Sequence, residues 1–94
     1  MTQPVTPVLY KLDIAASAHK SLQKLPEKER LRVMRDIRAL TQNPRPYGHI
    51  KLKSADTEKL YRIRCGNYRV IYEIHDGILF VIIVDIDHRK DVYR

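Results

Sequence analysis

The stretch Leu60-Tyr61-Arg62-Ile63-Arg64-Cys65-Gly66-Asn67-Tyr68-Arg69-Val70-Ile71-Tyr72-Glu73-Ile74 decides how this chain folds. Its first six residues alternate. Leu60, Arg62 and Arg64 fall on one face and Tyr61, Ile63 and Cys65 on the other, because successive strand side chains point to opposite sides. Gly66-Asn67 is a two-residue turn signal. Alternation then resumes, with Tyr68, Val70, Tyr72 and Ile74 opposed to Arg69, Ile71 and Glu73. Two alternating runs about a tight turn predict an antiparallel hairpin, apolar on one side and charged on the other.

Downstream, Asp76-Gly77 is a second hairpin signal, and residues 78–86 are almost entirely apolar. Such a run predicts a central strand covered on both faces. Residues 87–94, Asp-His-Arg-Lys-Asp-Val-Tyr-Arg, read as a polar tail with a functional role. Upstream, Ile50 to Lys53 alternates as a short strand, and residues 54–57 read as a turn. Asn43-Pro44-Arg45-Pro46-Tyr47-Gly48 stops a helix, since proline cannot continue one and glycine turns the chain. That helix begins at Pro26, where the missing N–H costs nothing. Leu31, Met34, Ile37 and Leu40 form its expected apolar stripe, and Arg30, Arg32, Arg35 and Arg38 its solvated side. Ala15, Ala18, Leu22 and Leu25 mark an earlier helix over about residues 14–24, with Asp13 as its cap. Residues 8–12 read as a first strand, and residues 1–7 as a loose arm. The order β-α-α-β-β-β-β predicts an α+β domain over residues 1–94, with two N-terminal helices packed on a mostly antiparallel sheet.

Composition narrows the function. The chain has 94 residues, with 18 Lys and Arg against 11 Asp and Glu, for a net charge of +7. A field of that sign attracts polyanions, nucleic acid above all. One cysteine, Cys65, allows no internal disulfide and fits a reducing cytosol. No apolar run approaches the ~20 residues needed to span a bilayer, and no signal peptide is visible. His19, His49, His75 and His88 lack metal-ligand spacing, so neither a metal nor a cofactor is expected. There is no glycine-rich phosphate loop and no nucleophile elbow.

Arg62 and Arg64 share a face, and Arg69 follows just beyond the turn on the partner strand. Arg89 and Tyr93 come after the central strand and can close over the same surface. Guanidinium groups set so close repel one another, and an anionic ligand relieves that repulsion. Arginine suits phosphate because its planar fork pairs bidentately.

LYRIRCGNYRVIYEI, the apolar strand and DHRKDVYR together resemble the RelE/ParE toxin superfamily. LQKLP before an amphipathic helix, and NPRPYG leading to KLK, fit the same pattern. The resemblance runs from about residue 8 to 94. It implies the two-helix, antiparallel-sheet fold. It also implies one of two activities: ribosome-dependent cleavage of messenger RNA (RelE branch) or inhibition of DNA gyrase (ParE branch). Arg62, Arg64, Arg69, Arg89 and Tyr93 match the nuclease positions, so the expected activity is mRNA endonuclease. The expected chemistry is metal-independent attack of a ribose 2′-OH on its own phosphate. The implied partners are mRNA, the ribosome and an antitoxin protein. A degenerate RNA-binding module is the third reading. Where the best-known family member has lysines, this chain has Arg62 and Arg64, and arginine is a poor general base. His88 and Glu73 are therefore candidates for acid–base work. Lys51, Lys53 and Arg94 are candidates for further RNA contact.

Overall fold

The computed structural model describes residues 9–52 and 59–88. The loose arm, the turn at 54–57 and the end of the tail lie outside these residues. Five strands form one sheet: β1 (Lys11–Ile14), β2 (Ile50–Lys51), β3 (Leu60–Cys65), β4 (Tyr68–His75) and β5 (Phe80–His88). Two helices, α1 (Ala16–Gln23) and α2 (Glu27–Ala39), lie between β1 and β2 in the chain. The spatial order is β1-β5-β4-β3-β2. Every pairing is antiparallel except β1 with β5, which is parallel. The α+β architecture expected from the alternating runs is the one observed. Three β-strands placed side by side bury one face against both helices.

The core shows why. Tyr61, Ile63 and Cys65 of β3, Tyr68, Val70, Tyr72 and Ile74 of β4, and Val81, Ile83 and Ile86 of β5 are all buried. They meet Ala18 and Leu22 of α1 and Val33 and Ile37 of α2, with Leu40 just past the α2 end. Period-2 burial on the strands thus meets helical spacing on α2: Val33, Ile37 and Leu40. Leu31 departs from the expected stripe and is 58% exposed. At about 100° per residue it sits about 160° around the helix from Val33, so a helix seated on Val33 turns Leu31 to solvent.

Asp13 also departs from expectation. It does not cap α1; the N-cap is Ala15, with no side-chain hydrogen bond. Instead β1 runs on to Ile14, in register with Ile83, and Asp13 pairs across to Ile82. The Asp13 carboxylate accepts the Ile14 N–H at 2.9 Å. Lys11 donates to the Leu79 carbonyl and Ala15 to the Ile83 carbonyl, so the Ile14 N–H points to the outer edge. Its own neighbour's carboxylate occupies it there, which blunts an exposed sheet edge.

The two hairpins differ. Cys65 pairs with Tyr68 across a two-residue turn, with Gly66 at φ +62. Glycine first at positive φ is the pattern of a type II′ turn. Asp76-Gly77 belongs to a longer connection, because His75 pairs with Phe80 and four residues intervene. Leu79 there takes φ +55. One more irregularity governs the site. β5 pairs Ile83 with Tyr72 but Asp85 with Ile71, so Val84 is an extra residue, a β-bulge. The Val84 carbonyl is held by the Ser17 hydroxyl at 2.9 Å.

Candidate active site

The face of the sheet away from the helices carries the charged residues. Register sorts them into rows. Arg64 of β3 stands opposite Arg69 of β4, and Arg69 stands opposite Asp87 of β5. The next row is Arg62, Ile71 and Asp85. Beyond it come Leu60, Glu73 and Ile82, and then His75 with Phe80. The hairpin therefore brings Arg62, Arg64 and Arg69 to one surface, as the alternation predicts. Like charges directly opposite on a sheet are destabilising, so Arg64 facing Arg69 costs stability unless an anion sits between them.

The face is not uniformly cationic. Arg69 pairs with Asp87 at 3.5 Å. The Arg69 Nε is buried without a hydrogen-bond partner, so the guanidinium uses only part of its donor set. Charge changes sign across the sheet, from arginines on β3, through Arg69 and Ile71 on β4, to Asp85 and Asp87 on β5. Glu73 shares the surface but is engaged by His75 Nε2 at 2.7 Å. It lies four residues from Arg69, roughly 13 Å along the strand.

His88 is not with the arginines. It stands opposite Tyr68 in register, and its ring meets the Tyr68 ring edge-on at 4.9 Å between centroids. Tyr68 is a core residue, so His88 belongs to the helix side of the sheet. The Val84 bulge is the reason: one extra residue reverses the alternation of everything after it. The same reversal turns Asp85 and Asp87 toward Arg69. β5 also runs through Asp87 and His88, two residues that the composition assigns to the polar tail. Lys51 pairs with Tyr61 and so stands at the helix-side edge, apart from the arginines. Arg89, Tyr93, Lys53 and Arg94 lie outside the described residues.

A cleft of about 750 Å³ opens at the outer edge of β3, where the short β2 stops. Leu40, Asn43, Tyr47, Ile50, Arg62 and Arg64 line it. Arg62 and Arg64 therefore border both the open face and this cleft.

A second polar cluster was not legible in the sequence. Arg45 forks onto Asp76, with Nη2 at 2.8 Å and Nη1 at 3.3 Å. Tyr10 donates its hydroxyl to the same carboxylate at 2.7 Å. Arg45 also donates to the Tyr61 hydroxyl at 3.2 Å and lies over that ring. Beneath it the buried Tyr72 hydroxyl donates to the Pro44 carbonyl at 2.7 Å. Together these tie the chain after α2 to β1, β3 and the β4–β5 connection. The Arg45 hydrogen bond, then that of Tyr10, holds the Asp76 carboxyl down at about 2. The same carboxylate raises Tyr10 above the ordinary phenol value. Cys65 is no nucleophile: burial first, and a hydrogen bond with Asp36 second, push its thiol up to about 12.

Comparison with known proteins places the fold in a family. The family model of the ParE toxin of type II toxin–antitoxin systems (parDE) matches residues 12–93. Toxin RelE of Mycobacterium tuberculosis is 38% identical over 86 residues, covering 90% of this chain and 87% of that protein. In the archaeal RelE–RelB complex from Pyrococcus horikoshii, the matched chain superposes with a TM-score of 0.76 at 31% identity. The match covers 86% of this chain and 96% of that one. The RelBE2 toxin–antitoxin complex of Mycobacterium tuberculosis gives 0.76 at 28% identity, with 87% and 93% covered. The isolated RelE toxin of E. coli shares the fold, at a TM-score of 0.71. With its two-helix sheet, its arginine-bearing hairpin and these relatives, the chain belongs to the RelE/ParE family of type II toxin–antitoxin toxins.

Proposed function

We propose that this toxin is an endoribonuclease that cuts messenger RNA on the ribosome and is silenced by a cognate antitoxin protein. The observation that supports it is the cross-strand arrangement of Arg62, Arg64 and Arg69 on one open face. Three guanidinium groups without a covering layer suit a phosphodiester, whose oxygens gain charge as the reaction proceeds. The reaction is attack by a ribose 2′-OH on the adjacent phosphorus. The bond to the 5′-oxygen breaks, leaving a 2′,3′-cyclic phosphate on one fragment and a 5′-hydroxyl on the other. The arginines bind and neutralise the phosphate throughout. Arg89 and Tyr93, next along the chain, are assigned to the same site, Arg89 on the phosphate and Tyr93 on the neighbouring nucleotide. The relatives crystallised with RelB support the antitoxin partner. A cationic face of this kind fits an acidic or amphipathic antitoxin segment.

A second reading, a gyrase inhibitor without nuclease chemistry, is favoured by one finding: the family model that matches bears the ParE name. Induction of the toxin followed by primer extension on translated messages separates the two. Cuts that require translation and end in a cyclic phosphate carry the nuclease reading. Intact messages with broken DNA would transfer the protein to the gyrase reading. Growth inhibition with neither would leave an RNA-binding module.

A further inference from the structure

Transesterification needs a group that removes the 2′-OH proton, and the arginines cannot supply it because they stay charged above pH 12. We propose that Asp87 is that general base, turned onto the arginine face by the β-bulge at Val84 and placed beside the phosphate site by its pairing with Arg69. This inference rests on the nuclease reading above and deepens it.

Three observations carry it. First, Asp87 stands opposite Arg69 in register, at 3.5 Å, with two-fifths of its side chain open to solvent. Strands lie about 4.8 Å apart, so Arg64 and Asp87 flank the Arg69 position at roughly 10 Å from each other. A phosphodiester seated over β4 has guanidinium groups on one side and a carboxylate on the other. Second, the competing groups are placed elsewhere. Glu73 is hydrogen-bonded to His75, and His88 packs on Tyr68 across the sheet. Asp85 shares the face but stands opposite Ile71, one row away from the Arg64–Arg69 pair. Third, the bulge has a consequence that folding alone does not require. Without Val84 as an extra residue, strict alternation would send Asp87 to the helix side and His88 to the arginines. Bulges recur beside active sites because they re-aim a side chain in this way.

The step balances. A carboxylate oxygen of Asp87 takes the 2′-OH proton as the 2′-oxygen bonds to phosphorus. The bond from phosphorus to the 5′-oxygen breaks, and that oxygen takes a proton from water. The register pairing with Arg69 sets the Asp87 carboxylate beside a phosphate held by that guanidinium. The carboxylate then stands within reach of the 2′-OH on the nucleotide whose phosphate the arginines hold.

The test is single-turnover cleavage of messenger RNA on programmed ribosomes between pH 5.5 and 8.5, for the wild type, Asp87→Asn, Asp87→Glu and Asp85→Asn. Binding is measured in parallel on 2′-O-methyl RNA, which cannot react. Asp87→Asn is expected to cut about 10²–10⁴-fold more slowly, the range of a lost general base. It is also expected to bind the 2′-O-methyl RNA as tightly as the wild type or tighter, having lost a negative charge. Retained binding also shows that the variant is folded. Asp87→Glu should recover part of the rate, and Asp85→Asn should keep it. Cleavage by Asp87→Asn within threefold of the wild type, or a loss confined to Asp85→Asn, overturns the assignment and leaves the nuclease reading intact. A wild type that cuts nothing removes both.

Discussion

Two arginine–aspartate pairs in this molecule look alike in sequence and differ in kind. Arg45 and Asp76 meet at 2.8 Å, and both are engaged further, by Tyr61 on one side and Tyr10 on the other. Arg69 and Asp87 meet at 3.5 Å, Arg64 crowds the arginine from the opposite strand, and the Arg69 Nε is left unbonded. The first pair is bidentate, and its further hydrogen bonds, to Tyr61 and from Tyr10, join separate segments. The second is longer, it leaves the Arg69 Nε without a hydrogen bond, and Arg64 adds repulsion. A bidentate pair reinforced on both sides marks a clasp, whereas a longer pair beside a like charge marks a place where an anionic ligand relieves repulsion.

The comparison breaks most visibly at Arg69. Arg69→Ala is expected to lower the cleavage rate by on the order of 10²–10³, the usual loss for one electrostatic donor to a charged transition state. Stability should hold or rise, because the substitution removes the repulsion with Arg64. Cleavage assays beside urea unfolding read both numbers. A variant that loses stability in step with activity would make Arg69 a second clasp and erase the distinction. Gly66→Ala is a smaller disturbance of the same region. Gly66 sits at φ +62, and a Cβ there would lie 2.7 Å from the Arg32 guanidinium nitrogen. That long side chain can move aside, so the cost is mainly backbone strain, about 1–2 kcal/mol in unfolding experiments. Cleavage per folded molecule should fall as well, because this turn sets Arg64 opposite Arg69.

The contrast also explains which features could be read from the sequence. The hairpin from Leu60 to Ile74 was legible because period-2 alternation and the Gly66-Asn67 turn are local signals, and they alone bring three arginines to one face. α2 was legible as a helix, but its seating was not. Leu31 and Val33 are equally apolar, and only packing on the sheet decides between them. The parallel pairing of β1 with β5 joins residues about seventy positions apart, which no local pattern encodes. The Val84 bulge was illegible for a related reason. In the run Phe80–Ile86 both phases of the alternation are mostly apolar, so an extra residue leaves no mark until Asp85 and Asp87 are seen on the open face. Composition alone therefore reads Asp87 as part of a polar tail and leaves His88 as a candidate beside the arginines. The clasp is not legible because Tyr10, Arg45, Tyr61 and Asp76 belong to four separate segments, and no local pattern joins them.

The clasp yields the smaller effects. Tyr72 is fully buried, and its hydroxyl donates to the Pro44 carbonyl. Tyr72→Phe leaves that carbonyl unsatisfied at a cost of about 1 kcal/mol, measurable as a lowered urea midpoint. Cleavage should stay near the wild-type rate, since the ring faces the core.

Asp76 gives the finest test, because it reports on pH. Its carboxyl titrates at about 2 in the folded chain, against an ordinary aspartate value near 3.9 when unfolded. A depressed value means that the unfolded chain takes up the proton first as pH falls. The stabilisation is therefore complete above about pH 4 and drains away between about 4 and 2. Asp76→Asn should flatten that part of the stability profile and leave neutral-pH cleavage unchanged. Salt should weaken the wild-type effect, because both side chains are well exposed to solvent and screening reaches them. An unaltered acid limb in Asp76→Asn would mean that the carboxylate gains nothing from Arg45 and Tyr10. The difference between a filled pair and an unfilled one would then have no energetic basis.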